Sequence, residues 1–87
     1  MINKKVVFGS SMCPDCIVMK NELDKRGIKY LYLDINENLA NLKKFLIFRE
    51  NSAFDFAKKN GSIGIPAMII NDGEKIIFSI EEFDKLF

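Results

Sequence analysis

The strongest restriction on the fold of this chain comes from two short apolar runs separated by a helical pattern. Lys4 to Phe8 ends in a β-branched and aromatic run typical of a buried strand, and Tyr30 to Ile35 has the same character. Between them, Pro14 suits the first position of a helix and Gly27 suits the position after its end, which predicts a helix from Pro14 to Arg26. Strand, helix and strand within about 30 residues predict a parallel βαβ unit.

The middle of the chain predicts a longer helical stretch. Its apolar residues recur at helical spacing, and the pattern indicates a bend or interruption near Asn51-Ser52 and an end at Gly61. The residues that carry this spacing are Leu39, Leu42, Phe45, Leu46, Ala53 and Phe56.

The last part of the chain predicts a β-hairpin followed by a helix. Ala67 to Ile70 and Lys75 to Phe78 are expected to be strands, joined at the turn signal Asn71-Asp72-Gly73. Ser79 and Glu82 match a capping box, in which two side chains satisfy free backbone N–H groups at the start of a helix. The apolar face of this last helix is supplied by Ile80, Phe83 and Phe87.

Length and charge restrict the class of protein. With 87 residues the chain has room for one domain, residues 1–87, and a chain of this size hides roughly 64% of its extended surface. Thirteen basic and twelve acidic residues leave a net charge of +1, which argues against a nucleic-acid partner. No apolar run reaches the ~18 residues of a membrane span, and Met1 to Phe8 lacks the apolar core of a signal peptide. We therefore expect a cytoplasmic protein without a membrane partner, and we also expect it to be a monomer.

The chain contains two cysteines, Cys13 and Cys16, and no histidine, so imidazole chemistry is excluded. The pair falls between the first strand and the first helix, where open α/β sheets place their functional sites. A disulfide between these cysteines would close a loop of four residues. Such a short loop stabilises a fold by only about 2 kcal/mol, so the bond is better suited to being formed and broken than to holding the fold.

The two cysteines are expected to have different roles. Cys13 falls at the N-cap of the helix, where unpaired N–H groups and the positive end of the helix dipole favour its thiolate. Cys16 falls at the third helical position, so Cys13 is expected to attack a substrate and Cys16 to resolve the mixed disulfide. Asp15 adds a negative charge near the Cys13 sulfur, and we interpret it as a residue that tunes the redox properties of the pair.

Other uses of the pair stay open at this point. Zinc with four protein ligands would need two further cysteine or histidine residues, which the chain lacks, so we expect no metal site within one chain. A metal ion or cluster shared between two chains, and a pair of ordinary buried thiols, are the alternatives to redox chemistry.

Three motifs resemble the glutaredoxin family, and the resemblance covers essentially all 87 residues. They are Met12-Cys13-Pro14-Asp15-Cys16 after a short strand, Gly64-Ile65-Pro66 before a strand, and the acidic pair Glu81-Glu82 at the start of the last helix. The resemblance implies an α/β protein of the thioredoxin fold. In that fold a four-stranded mixed sheet, made of the βαβ unit and the hairpin, is flanked by helices.

The resemblance also implies roles for individual residues. It implies a cis bond between Ile65 and Pro66, with Pro66 beside the cysteine pair and the backbone of Ile65 pairing with the substrate like an added strand. Met12, Pro14 and Glu81 are the other expected substrate-binding residues. The acidic pair that contains Glu81 would hold the amino group of glutathione.

The chain shows four departures from the residues usual in the family, one of which covers two adjacent positions. The departures are Asp15 for an aromatic residue, Ser10 for a basic residue that contacts glutathione, Gly64 for threonine, and Phe78-Ser79 for two glycines. Arg49 is expected either to bind a carboxylate of glutathione or to be a solvated charge on its helix.

The implied activity is that of a glutaredoxin-like dithiol–disulfide oxidoreductase. It would reduce protein disulfides or glutathione mixed disulfides, with glutathione as the reductant and no tightly bound cofactor. One alternative has the same dithiol chemistry but a different partner. In it the protein is an electron donor, for example to ribonucleotide reductase, and is recharged by a flavin reductase such as thioredoxin reductase. The other is an iron–sulfur cluster carrier, in which two chains share a centre through Cys13 and external thiols.

Overall fold

The computed structural model describes residues 4–86, and its first two strands lie side by side as the βαβ pattern predicts. Strand β1 (Lys5–Gly9) pairs in parallel with β2 (Leu31–Asp34). Strand β3 (Ala67–Ile70) pairs antiparallel with β1 on one side and with β4 (Lys75–Ile77) on the other. The strand order is β2-β1-β3-β4, which confirms the predicted four-stranded mixed sheet within the described residues.

Four α-helices accompany the sheet in the described part of the chain: α1 (Pro14–Lys25), α2 (Leu39–Phe48), α3 (Asp55–Asn60) and α4 (Ile80–Leu86). The predicted interruption of the long helical stretch is confirmed. After α2 the Asn51 side chain accepts a hydrogen bond from the Ala53 N–H at 2.8 Å, and a 3-10 helix, Ser52–Phe54, leads into α3.

Some elements are shorter than predicted because a residue at one end takes part in a cap or a side-chain contact. Strand β2 begins after Tyr30, whose hydroxyl donates to Asp24 of α1 at 2.6 Å. Helix α1 ends at Lys25, and Arg26 is its C-cap. Strand β4 ends at Ile77 because the N–H of Phe78 donates to the Glu82 carboxylate at 3.2 Å.

The predicted hairpin and capping box are both confirmed. A 3-10 turn, Asn71–Gly73, joins β3 to β4. The Ser79 hydroxyl accepts from the N–H of Glu82 at 3.2 Å, and the Glu82 carboxylate reaches back to the preceding backbone. Phe83 is buried as part of the apolar face of α4. Phe87, which was assigned to the same face, lies outside the described residues.

The sheet separates two apolar clusters. The cluster on the side of α1 and α4 comprises Val7, Met19, Leu23, Met68, Ile70, Ile77 and Phe83. The cluster on the side of α2 and the 3-10 helix comprises Phe8, Ile35, Phe45, Phe54, Ala67 and Ile69. Val7 and Phe8 are buried in opposite clusters, as the alternation of a strand requires. The C-terminal end of β1 is therefore held from both sides, and the loop that carries the cysteines starts from a fixed point.

Candidate active site

The cysteine pair lies where β1 ends and α1 begins. Cys13 has extended backbone angles and is the N-cap of α1, and its carbonyl accepts from the N–H groups of Cys16 at 3.1 Å and Ile17 at 3.2 Å. Pro14 is the first helical residue, as predicted. Both cysteines are free thiols, Cys13 half-buried and Cys16 completely buried. The two sulfur atoms are thus presented differently, one at the open end of the helix and one behind it.

The surroundings of Cys16 favour its protonated form. Burial is the main cause that raises the pKa of the Cys16 thiol to about 12, and its hydrogen bond to Cys13 and the charges of Cys13 and Asp15 act in the same direction. A backbone hydrogen bond from Ser10 acts in the opposite direction. The Cys13 side chain makes no capping hydrogen bond to α1. The Cys13 sulfur is therefore hydrogen-bonded to the thiol of Cys16 and not to a backbone N–H of α1.

A polar network that the sequence did not predict shapes the loop before Cys13. Ser10 is 3% exposed, donates to the Asn36 side chain and accepts from the N–H of Met12 at 3.1 Å. The Asp34 carboxylate accepts from the N–H groups of Ser11 at 3.1 Å and Asn36 at 2.7 Å. Ser10 therefore has a structural role in this loop. The available signal was that polar residues, Asn36 to Asn38, directly follow the predicted strand Tyr30 to Ile35, at the edge where the parallel strands β1 and β2 both end.

Tyr32 lies behind the cysteine pair and was also missed. A Cβ atom added to Gly9 would lie 2.6 Å from the Tyr32 hydroxyl oxygen and 3.1 Å from the Cys16 Cβ, so only glycine fits between them. Burial raises the pKa of Tyr32 to about 12, and the nearby charges of Cys16, Asp34 and Cys13 contribute. Gly9 therefore lets a phenol hydroxyl approach the buried cysteine.

A groove of about 400 Å³ runs beside the pair between α1, α4 and the segment before β3. It brings together four of the predicted site residues: Asp15, Ile65, Pro66 and Glu81. The Ile65–Pro66 peptide bond is cis, which confirms that prediction. Met12 and Pro14 do not line the groove but are exposed around Cys13, with Met12 80% exposed. The other lining residues are Val18, Met19, Phe56, Ser62, Gly64, Phe78, Ser79 and Ile80.

The segment before Pro66 is held by two contacts that explain residues singled out in the sequence. Gly64 has a φ of +95°, and a Cβ atom there would lie 2.8 Å from the Phe54 ring. Threonine, which is usual in the family, does not fit this conformation or this space. Arg49 donates to the carbonyls of Ile63 at 2.8 Å and Ser62 at 2.7 Å. Arg49 thus has a structural role that neither expectation from the sequence included.

The far wall of the groove is aromatic. The Phe78 ring packs edge-on against Phe54 and Phe56, with ring centroids 4.9 and 4.8 Å apart. The expected acidic pair is divided in use, since Glu82 caps α4 while Glu81 is exposed and lines the groove.

Among residues 4–86, no group of three or more His, Cys, Asp or Glu side chains is arranged to hold a metal ion. The same range contains no helix with the length and apolar composition needed to cross a bilayer.

The strand order and the position of the cysteine pair are those of a thioredoxin-fold protein, and solved structures agree. A glutaredoxin from Methanosarcina mazei superimposes with a TM-score of 0.71 and 24% identity, over 95% of this chain and 76% of that one. A glutaredoxin from Archaeoglobus fulgidus gives a TM-score of 0.69 and 20% identity, over 98% and 86% of the two chains.

Sequence similarity narrows this class to a family. The model of the family described as glutaredoxin matches residues 6–73, and the chain belongs to the glutaredoxin family. A protein of Haemophilus influenzae, described as uncharacterized, is 38% identical over 77 residues, which are 87% of this chain and 90% of that protein.

Proposed function

We propose that this protein is a dithiol–disulfide oxidoreductase that reduces protein disulfides or glutathione mixed disulfides through Cys13 and Cys16. The observation that supports this most directly is the different placement of the two thiols. Cys13 stands at the N-terminus of α1, and Cys16 is buried one turn behind it with its thiol hydrogen-bonded to Cys13. An attacking thiolate and a protected resolving thiol need this arrangement.

The proposed reaction has two thiol–disulfide exchanges. In the first, the Cys13 thiolate attacks one sulfur of the substrate disulfide, forms a mixed disulfide and releases the other sulfur as a thiolate. In the second, Cys16 loses its proton and attacks the Cys13 sulfur, which forms the Cys13–Cys16 disulfide and releases the second substrate thiolate. Two electrons pass to the substrate, and a thiol reductant must return them to the protein.

The proposed substrate-binding residues surround Cys13. Ile65, Pro66 and Glu81 line the same groove as Asp15, and Met12 and Pro14 are exposed beside Cys13. These positions support a role for the segment before β3 in holding an extended substrate. Asp15 is the proposed tuning residue.

Single-cysteine variants test the proposal. Cys13→Ser should abolish reduction of a disulfide substrate, whereas Cys16→Ser should accumulate a mixed disulfide on Cys13, detected as a mass increase that dithiothreitol reverses. The variant with both serines is the control for non-specific adducts. Turnover retained by Cys13→Ser, or adducts that form on Cys16 in that variant, would contradict the assigned roles.

The reductant is a separate question with its own experiment. The protein is oxidised to the Cys13–Cys16 disulfide and offered glutathione with glutathione reductase, or a thioredoxin reductase, each with NADPH. Recovery of two free thiols with the first system supports glutathione as the reductant. Recovery only with the second supports the electron donor recharged by a flavin reductase.

A further inference from the structure

We infer that the groove beside Cys13 is built for a protein segment in which the reactive cysteine is flanked by an apolar side chain and by lysine or arginine, in preference to glutathione. This inference rests on the proposed function and names its substrate class. It is based on three observations: the exposed apolar residues of the groove, the negative sign of the charges that line it, and the hydrogen bonds already made by polar groups near it.

The apolar wall is exposed where a partner would lie. Val18 on α1 is 59% exposed and Phe56 on α3 is 47% exposed, and both line the groove. Phe78 completes this surface by packing edge-on against Phe56. Exposed aromatic and aliphatic side chains around a cavity provide a surface that an apolar side chain of a partner would cover with a gain in free energy.

The charges on the lining are all negative. Asp15 on α1 and Glu81 on α4 are exposed carboxylates that line the groove, and the described residues that line it include no lysine or arginine. In the sequence, no lysine or arginine lies between Lys5 and Lys20. A partner segment with a positive side chain near its cysteine would match these carboxylates, whereas an acidic segment would be repelled.

Two donors near the groove that could receive a carboxylate are already engaged. The guanidinium of Arg49 donates to the carbonyls of Ser62 and Ile63, and the N–H of Phe78 donates to Glu82. Glutathione carries more carboxylates than ammonium groups. Glu81 suits its ammonium group, but its carboxylates would face a groove that offers them no cation.

The test uses the Cys16→Ser variant, in which the first exchange is seen alone. Three peptides of equal length, each with one cysteine, are linked by a disulfide to the same thionitrobenzoate chromophore. One has leucine and lysine beside the cysteine, one leucine and glutamate, and one serine and lysine. Glutathione linked to the same chromophore is the fourth probe. Each release rate is divided by the rate of the same probe with dithiothreitol, which removes differences in intrinsic reactivity.

We expect the leucine–lysine peptide to react about 10-fold or more faster than the leucine–glutamate peptide and glutathione at low salt. High salt should reduce this ratio. Glu81→Gln should also reduce it, whereas Glu74→Gln, an equal charge change in the turn at the other end of β3, should leave it unchanged.

The contribution of the apolar side chain is tested with a second pair of peptides. The leucine–lysine peptide should react severalfold faster than the serine–lysine peptide, and Val18→Ser should reduce this ratio of rates. Ile17→Ser, at a neighbouring exposed residue of α1 outside the groove lining, should not. Equal rates for all four probes, or glutathione as the fastest, would overturn the inference and leave the chemistry of Cys13 intact. Release from none of the probes would instead contradict the proposed function.

Discussion

At the scale of single residues, burial separates two identical thiols that lie three positions apart. Cys16 is fully buried and its pKa is raised to about 12, while Cys13 lies half-buried at the end of the helix. In the mixed disulfide Cys13 carries no charge, so its contributions to this pKa disappear, but burial remains. The resolving thiol must therefore lose a proton that its surroundings still favour.

This predicts that the second exchange accelerates as pH rises. Below its raised pKa, the thiolate fraction of Cys16 grows about tenfold with each pH unit, and the rate should follow it through the neutral and mildly alkaline range. Release of a chromophoric thiol from a mixed disulfide preformed on Cys13 measures this step in a single turnover, and Cys16→Ser should show no release. A rate independent of pH in this range would show that deprotonation of Cys16 does not limit the second exchange.

A second prediction concerns Asp15, whose charge already contributes to the raised pKa of Cys16. A negative charge near the pair disfavours thiolate in the reduced form, so Asp15→Asn should raise the reduction potential of the Cys13–Cys16 couple. At an effective dielectric of ~20–80, the repulsion between the Asp15 carboxylate and a thiolate of the pair is ~1–2 kcal/mol. This corresponds to a shift of ~20–40 mV in the potential of a two-electron couple. A redox titration measures the shift.

Asp55→Asn is the matched control, because Asp55 also occupies the first turn of a helix, α3. Both variants should lose the ~0.3–1 kcal/mol that an acidic residue contributes to a helix N-terminus, but only Asp15→Asn should change the potential. If the reduction potentials of the two variants are equal, Asp15 stabilises its helix and does not tune the cysteine pair.

The site residues that could be predicted from the sequence are those whose position follows from local rules. The spacing of Cys13, Pro14 and Cys16 fixes their places at the start of α1, and the structure agrees. Tyr32 could not be found in this way, since it approaches Cys16 through the pairing of β2 with β1, and the same pairing brings Asp34 to the N–H of Ser11 in the loop before Cys13. Their position depends on contacts between residues distant in sequence.

At the scale of elements, the segment between α3 and β3 shows what local patterns leave out. The sequence identified Gly64 only as a departure from threonine, whereas the structure explains it by a φ of +95° and by the Phe54 ring. The hairpin and the interruption at Asn51 were predictable because turn and cap residues determine them locally. The anchoring of this segment by Arg49 was not, since its partners lie 13 and 14 residues further on.

Arg49→Gln should therefore loosen the segment that leads to Pro66. The loss of two hydrogen bonds from a guanidinium to exposed carbonyls should lower the free energy of unfolding by about 1–2 kcal/mol. Hydrogen exchange at the amides of Gly64 and Ile65 should accelerate more than exchange in β3. Lys44→Gln, which removes an exposed charge from the same helix, is the control and should change neither quantity. Equal exchange at Gly64 and Ile65 in both variants would show that Arg49 does not hold this segment in place.

At the scale of the whole molecule, the site is continuous with the two apolar clusters. On one side of the sheet Cys16 lies on the same buried face of α1 as Met19 and Leu23. On the other side, a series of ring contacts runs from Phe8 through Phe45 and Phe54 to Phe78 at the groove. Exposure of Cys16 to solvent thus requires disruption of the α1 cluster, although its attack on the neighbouring Cys13 does not.

This predicts that alkylation of Cys16 in a Cys13→Ser background reports the unfolding of the entire protein. Leu23→Ala removes a fully buried side chain and should cost about 2–5 kcal/mol, so the labelling rate should rise about 30-fold or more. Val18→Ala, at an exposed residue of the same helix, should change the rate about twofold at most. Urea unfolding of the same variants gives the stability differences independently. If labelling rates are equal while these stabilities differ, the first turn of α1 opens alone, and the resolving thiol is protected by that turn rather than by the core.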